Sequence, residues 1–337
     1  MLQGHRHGSG SGTGAERPHD ISEYLVGLPE EAAVVEQPTL ALPGGGRLPM
    51  IGVGTSNIAS EPGVRALLQF ILKGARHIDT AELFDNHVMV GTAVREAIKR
   101  GVPREDLLVT TKIPGQMFGK SSTALWVKKV LAEMGLSYLD VVLLAAPAPE
   151  KPKMQTTPFS MLRLKCGTGP NCRKEAWQAL ERAKAAGMIR EIGVSNFGVR
   201  QMQELIALNG TVPAINQLEF HPWVKEPGRQ AVEFCHQHGI IVTAFSPLGS
   251  RWNGLPFLKD QVVKDAAVAH GKDPAQVMLR WYVQNNVTAV VQTCNQNHMD
   301  DDLNVFDFEL SPEEMKAIGA NEERYTICPY HHPDIDP

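Results

Sequence analysis

No apolar run in this 337-residue sequence approaches the roughly 20 residues that a bilayer-spanning helix needs, so no membrane span is expected. The first twenty residues, MLQGHRHGSGSGTGAERPHD, lack the apolar core of a secretory leader and read as a disordered tail. Within it His5, His7 and His19 have no spacing that matches a defined metal site, and the same holds for the adjacent His331 and His332 near the other end. Runs of Lys and Arg interleaved with aromatics are also absent. The formal charge of −4 and a pI near 6.3 make no field that would gather a polyanion, so a small molecule is a better partner than nucleic acid. Cysteine is scarce: five residues, an odd number, point to reduced thiols in a cytoplasmic compartment rather than to a disulfide scaffold. No G-x-G-x-x-G follows an apolar run, which removes the main support for a Rossmann-type dinucleotide domain.

What is present is an alternation. Hydrophobic residues make up 43% and charged residues 21% of the chain, enough apolar material for one large core. Short apolar runs occur at 51–55, 75–79, 107–112, 139–144, 192–195, 214–220, 240–245 and 288–293. Between them, stretches such as 62–73, 88–100, 121–134, 174–186, 199–208 and 229–238 repeat their apolar residues at helical spacing. Eight nearly continuous apolar strands, each followed by an amphipathic helix, predict an α/β fold of the (β/α)₈ TIM-barrel type, with a doubly wound sheet as the alternative. The turn-rich LPGGGRLPM at 42–50, preceded by TLAL, predicts a hairpin plugging the bottom of the barrel. Residues 1–37 form an extension. The barrel takes 38–337, including a long loop after the fourth strand, 145–173, and a C-terminal tail.

In that loop Cys166 and Cys172 flank GTGPN, with Lys165, Arg173 and Lys174 beside them. These cations favour thiolate and a reversible disulfide, whereas a reducing compartment favours two unpaired thiols, the expectation adopted here.

A barrel of this kind collects its working groups at the C-terminal strand ends. Asp79 ends the second predicted strand and Lys112 the third; Ser195 and Asn196 end the fifth, Asn216 and Gln217 lie in the sixth, and Ser246 follows the seventh. Asp79 and Lys112 form two coupled titrating groups, readable equally as a site and as a salt bridge that fixes the barrel mouth.

The segments IGVGT, HIDTA, TTK, YLDVVLL, GMIREIGVSNF, NQLEFHP, FSPLGS and NVFDFELS follow one another in an order that resembles the aldo-keto reductases from about residue 40 to 325. The resemblance implies a nicotinamide cofactor held in extended form across the barrel mouth. It places Ser195, Asn196 and Gln217 on the carboxamide, Phe220 stacked on the ring in place of the usual tyrosine, Ser246, Leu248 and Ser250 beside the pyrophosphate, and Thr293 near the adenosine end. It also implies a cytoplasmic monomer acting on a small carbonyl or alcohol.

Two places depart from the family pattern. Of its Asp, Tyr, Lys and His tetrad the chain keeps Asp79 and Lys112 but carries Phe84 for the tyrosine and Ala145 for the histidine. At the clamp for the 2′-phosphate of NADP, Gln292, His298 and Asp302 replace lysine, arginine and asparagine, removing two cations and adding a carboxylate, so NADP and NAD both stay open as cofactors. His87, three residues beyond Phe84, is one substitute acid, expected to face away as a cap or packed surface group; Lys112 ranks above it. Three functional readings follow. The first is a divergent NAD(P)(H)-dependent oxidoreductase with weak or altered reductase activity, the second an inert nucleotide-binding or interaction protein, and the third Schiff-base chemistry at Lys112.

Overall fold

The computed structural model describes residues 27–28, 36–56, 58, 60–147, 166, 169–249 and 255–320. Apolar runs that cannot satisfy their own backbone groups pair with one another, and eight of them close a barrel. The hairpin strands are β1 (Thr39–Ala41) and β2 (Arg47–Pro49). The barrel strands are β3 (Ile51–Gly54), β4 (His77–Asp79), β5 (Leu108–Ile113), β6 (Leu139–Leu144), β7 (Ile189–Ser195), β8 (Ile215–Glu219), β9 (Ile241–Phe245) and β10 (Thr288–Val291). They run parallel in sequence order, and β10 returns to pair with β3. The doubly wound alternative is thereby excluded.

The surrounding helices are α1 (Glu61–Leu72), α2 (His87–Lys99), α3 (Lys120–Met134), α4 (Gly169–Ala185), α5 (Val199–Ile206), α6 (Gly228–Gln237), α7 (Pro256–Lys259), α8 (Gln261–His270), α9 (Pro274–Gln284), α10 (Gln296–Leu303) and α11 (Pro312–Gly319). Their ends follow local chemistry. Asp260 accepts from Val262 N and Val263 N to open α8, and Gly271, at φ 62°, stops it. Asp273 caps α9, whose first residue is Pro274. No helix among the described residues is long and apolar enough to cross a membrane.

Alternation along the strands sorts side chains between two cores. Val142 and Leu144 of β6 face the helices, whereas Val141 and Leu143 face inward and join Leu42 and Leu48 of the hairpin with Leu108, Ala214 and Ile215. The hairpin therefore closes the N-terminal end of the barrel, as its turn chemistry predicts. Leu48 is fully buried there, which stabilises the closure by roughly 1.5–3 kcal/mol. Higher in the interior His77 Nε2 lies 3.1 Å from Thr110 Oγ1, and one layer above stand Asp79 and Lys112, two residues on along the same strands.

Three sequence expectations change. Helix α4 begins at Gly169, with Pro170 in its first turn, so the long loop ends at 168 rather than 173. Cys166 and Cys172 form a disulfide, contrary to the unpaired thiols expected: the first turn of α4 brings the two Cα atoms to 5.1 Å, and local geometry overrides an argument from compartment. Within the 1–37 extension, Leu28 is buried in the core and its carbonyl accepts from Arg100 Nη1 at 3.5 Å, so this residue is tied to the barrel. The remaining expectations for residues 1–26 and 29–35, for most of the long loop, for Ser250 and for the tail 321–337 with its two histidines fall outside the described residues.

Candidate active site

Strand register decides which polar side chains meet. Asp79 ends β4 and Lys112 stands near the end of neighbouring β5; Lys112 Nζ donates to Asp79 Oδ2 at 2.6 Å and to Thr80 O at 3.0 Å. Across the barrel, Gln217 Nε2 donates to the other carboxylate oxygen at 2.7 Å. All three are buried. Asp79 is thus held from two sides, and its carboxylate fixes the ammonium in place.

Phe84 sits in the short 3₁₀ turn Glu82–Phe84, half-buried, with Lys112 Nζ 5.4 Å from its ring centroid. The ring lies beside the ammonium and offers it only a π face, with no transferable proton. No other described phenol takes its place. Tyr138 is flanked by Arg104 and Arg190, and the hydroxyl of Tyr282 lies 3.0 Å from Phe220 O and 2.9 Å from Pro247 O, its one proton shared between the two carbonyls. At Ala145 the backbone carbonyl accepts from Asn196 Nδ2 at 2.9 Å, while the methyl group leaves the position without a side-chain donor.

Ser195 Oγ donates to Gln217 O at 2.9 Å and accepts from Asn196 Nδ2 at 3.2 Å. Asn196, at φ 61°, adopts the left-handed conformation that Asn tolerates better than most residues. Its Oδ1 is buried and has no hydrogen-bond partner among the described residues. An orphan acceptor at a strand end fits the –NH₂ of a carboxamide, so Ser195, Asn196 and Gln217 suit a nicotinamide. Asn216 does not join them: its amide turns to the helix side of β8 and donates to Phe197 O at 2.9 Å.

Phe220 is half-buried against Trp281, with ring centroids 5.8 Å apart. Tyr282 joins this loop to the one after β9, where Ser246 adopts φ 52° and Leu248 packs on the core. Sequence reasoning missed Tyr282, since a tyrosine in an amphipathic helix carries no signal beyond burial. Its hydroxyl sets the spacing of the loops that follow β8 and β9.

Two further residues stand elsewhere than expected. His87 is not a surface group: it is 4% exposed, and its Nε2 lies 2.8 Å from the Oγ1 of Thr111, which points to the helix side of β5, opposite to Lys112. Burial lowers its pKa from the ordinary histidine value, with Glu82 and Glu133 opposing. A ring on the far side of the sheet from Lys112 is no substitute acid. Asp302 is likewise buried, 4% exposed, instead of facing a phosphate as an open carboxylate, because helix α10 turns it inward. Burial, with Asp301 and Asp273 nearby, raises its pKa to about 7. Gln292 and His298 are exposed; Gln292 Oε1 accepts from Ser56 Oγ at 2.8 Å, and His298 Nδ1 lies 3.5 Å from Thr293 Oγ1.

A parallel eight-stranded barrel thus carries a Lys–Asp–Gln chain at its mouth with an amide cluster beside it. The profile of the aldo/keto reductase family matches residues 50–323, and the chain belongs to that family. It is 37% identical over 290 residues to aldo-keto reductase family 1 member A1 of Mus musculus, covering 82% of this chain and 86% of the relative. It is 33% identical over 287 residues to aldose reductase B of Dictyostelium discoideum, covering 83% and 91%. Among solved structures, the aldose reductase from Schistosoma japonicum superposes with a TM-score of 0.76 at 28% identity, over 86% of this chain and 94% of that one.

Proposed function

We propose that this chain is an NAD(P)(H)-dependent oxidoreductase for small carbonyl or alcohol substrates, with Lys112 as the proton donor and an ordinary reductase activity well below that of the family. The observation that carries the reading is the placement of Lys112: held by Asp79 at 2.6 Å, beside a phenyl ring at 5.4 Å, it is, among the described residues, the titratable cation at the mouth with a proton to transfer. A bound nicotinamide supplies or accepts the hydride. Ser195, Asn196 and Gln217 hold and orient the carboxamide, Phe220 gives a stacking face backed by Trp281, and the loop of Ser246 and Leu248 lies along the pyrophosphate. Lys112 has three N–H donors, of which two are engaged by Asp79 and Thr80 O, so one is left for a developing alkoxide. Without tyrosine and histidine the acid step loses a factor of roughly 10²–10⁴.

The adenosine end supports weak discrimination between the cofactors. Gln292 and His298 bring no fixed positive charge to a 2′-phosphate, and the remaining hydroxyl, on Thr293, binds phosphate and ribose alike.

The test is a titration of the full chain with NADH and NADPH, followed by fluorescence; Trp281 stands 5.8 Å from Phe220, close enough to report on a stacked ring. Both cofactors should quench, with comparable affinity. In the double variant Phe84→Tyr, Ala145→His, carbonyl reduction should rise by two orders of magnitude or more. Quenching without turnover in either protein supports an inert nucleotide-binding chain instead, and borohydride trapping of a carbonyl on Lys112 supports Schiff-base chemistry. No cofactor binding at all refutes the proposal.

A further inference from the structure

On the outer side of the sheet, Glu82, His87 and Glu133 bring three ligand atoms within 4.8 Å of one another. We infer that these three side chains form a binding site for a divalent transition-metal ion of the zinc type, separate from the barrel mouth. Each comes from a different place: Glu82 opens the 3₁₀ turn that carries Phe84, His87 begins α2, and Glu133 stands in the last turn of α3.

The contacts that pair His87 with Glu82 and Glu133 also have the lengths of ligand–ligand edges around a metal ion. Nδ1 of His87 lies 3.5 Å from Glu82 Oε2 and 3.3 Å from Glu133 Oε2. Donors about 2.0–2.2 Å from a tetrahedral zinc stand roughly 3.3–3.6 Å apart, so both edges already have the right length. The third edge, between the carboxylates, closes by a swing of Glu133, whose side chain is 31% exposed.

The supporting groups are also in place. Metal-binding imidazoles are held through their second ring nitrogen, and here Nε2 is fixed by Thr111 Oγ1 at 2.8 Å. Trp126 Nε1 donates to Glu82 Oε2 at 2.8 Å, orienting that carboxylate while leaving it a further lone pair. Lys129 does not fill the site. Its Nζ lies 2.6 Å from Oε1 of Glu82 and 3.4 Å from Oε1 of Glu133, the oxygens opposite to those facing His87. Two carboxylates and one ammonium leave a net charge of −1 beside the imidazole, which a divalent cation reverses. An ion there would tie the Glu82–Phe84 turn to α3 and so steady the wall of the barrel mouth.

The experiment is titration of EDTA-treated full-length protein with Co²⁺ and Zn²⁺, read by the visible spectrum of cobalt, by calorimetry and by thermal melting. Because His5, His7, His19, His331 and His332 also offer imidazoles, the result is read as a difference between variants. His87→Gln and Glu133→Gln should each lose tenfold or more in affinity for the ion, together with the metal-dependent rise in melting temperature. Lys129→Met, which removes a competing cation and keeps all three ligands, should bind several-fold more tightly. Affinity unchanged in both ligand variants, or no binding in the parent protein, overturns the inference. Cofactor binding at the mouth is unaffected by either outcome, so the two readings fail separately.

Discussion

Replacing Asp302 by Asn should stabilise the protein by an amount that grows with pH. Asp302 is 4% exposed on α10, and its carboxyl is raised from 3.8 to about 7, first by burial and then by Asp301 and Asp273. A folded-state pKa above the unfolded one means that the unfolded chain ionises first as pH rises. The contribution is therefore complete below about pH 4 and is lost as pH climbs through 7. A shift of about three units corresponds to about 4 kcal/mol, reduced to on the order of 2–4 kcal/mol once local relaxation around a helix-edge site is allowed for. An asparagine has no ionisation to suppress. Urea unfolding of both proteins at pH 4, 6 and 8 should give nearly equal stabilities at pH 4 and a gap of 2–4 kcal/mol in favour of the variant at pH 8. Other titrating groups, His77 among them, are common to both chains and cancel in the difference. A gap that stays constant across the range would refute the burial of an uncompensated carboxylate at 302.

His77 works in the opposite sense: burial lowers it to about 4, its Nδ1 has no partner among the described residues, and a Cβ on Gly52 would stand 2.5 Å from that atom. The unfolded chain therefore gains a proton near pH 6.5 that the folded one refuses. His77→Gln should remove up to about 3 kcal/mol of acid destabilisation between pH 6.5 and 4, measured by denaturant midpoint against pH. Lys112→Met should abolish turnover and destabilise by about 3 kcal/mol, the low end for a broken buried pair, because Gln217 still donates to Asp79. Reduction of the Cys166–Cys172 bridge, which closes a short loop of sequence separation 6, should cost about 2 kcal/mol of stability, seen as a lower melting temperature in dithiothreitol. A melting temperature indifferent to reductant would argue that the bridge adds nothing to folding.

The barrel was legible from periodicity. Eight apolar runs and their helices dictate their own pairing, since backbone groups in a buried strand have no partner except a neighbouring strand. The placement of Asp79, Lys112, Ser195 and Asn196 was legible too: each is a polar residue at the end of an apolar run, and such a residue faces the barrel mouth or must find a local partner, whereas Gln217 stands inside its strand and reaches the mouth through its face of the sheet. Asn216 shows the limit of that rule, because one step along a strand reverses its face, and its amide found Phe197 O instead.

What sequence alone determined is therefore the fold and the family, both of which depend on residue type and order along the chain. Tertiary structure decided which groups share a solvent environment. Burial turned Asp302 from an open carboxylate into a suppressed one, and set His87 behind the sheet with Glu82 and Glu133 rather than beside Lys112. It also brought Tyr282 to two loops that lie 62 and 35 residues away in the chain. Such contacts depend on helix rotation and packing distance, to which a one-dimensional pattern of apolar and polar residues is blind.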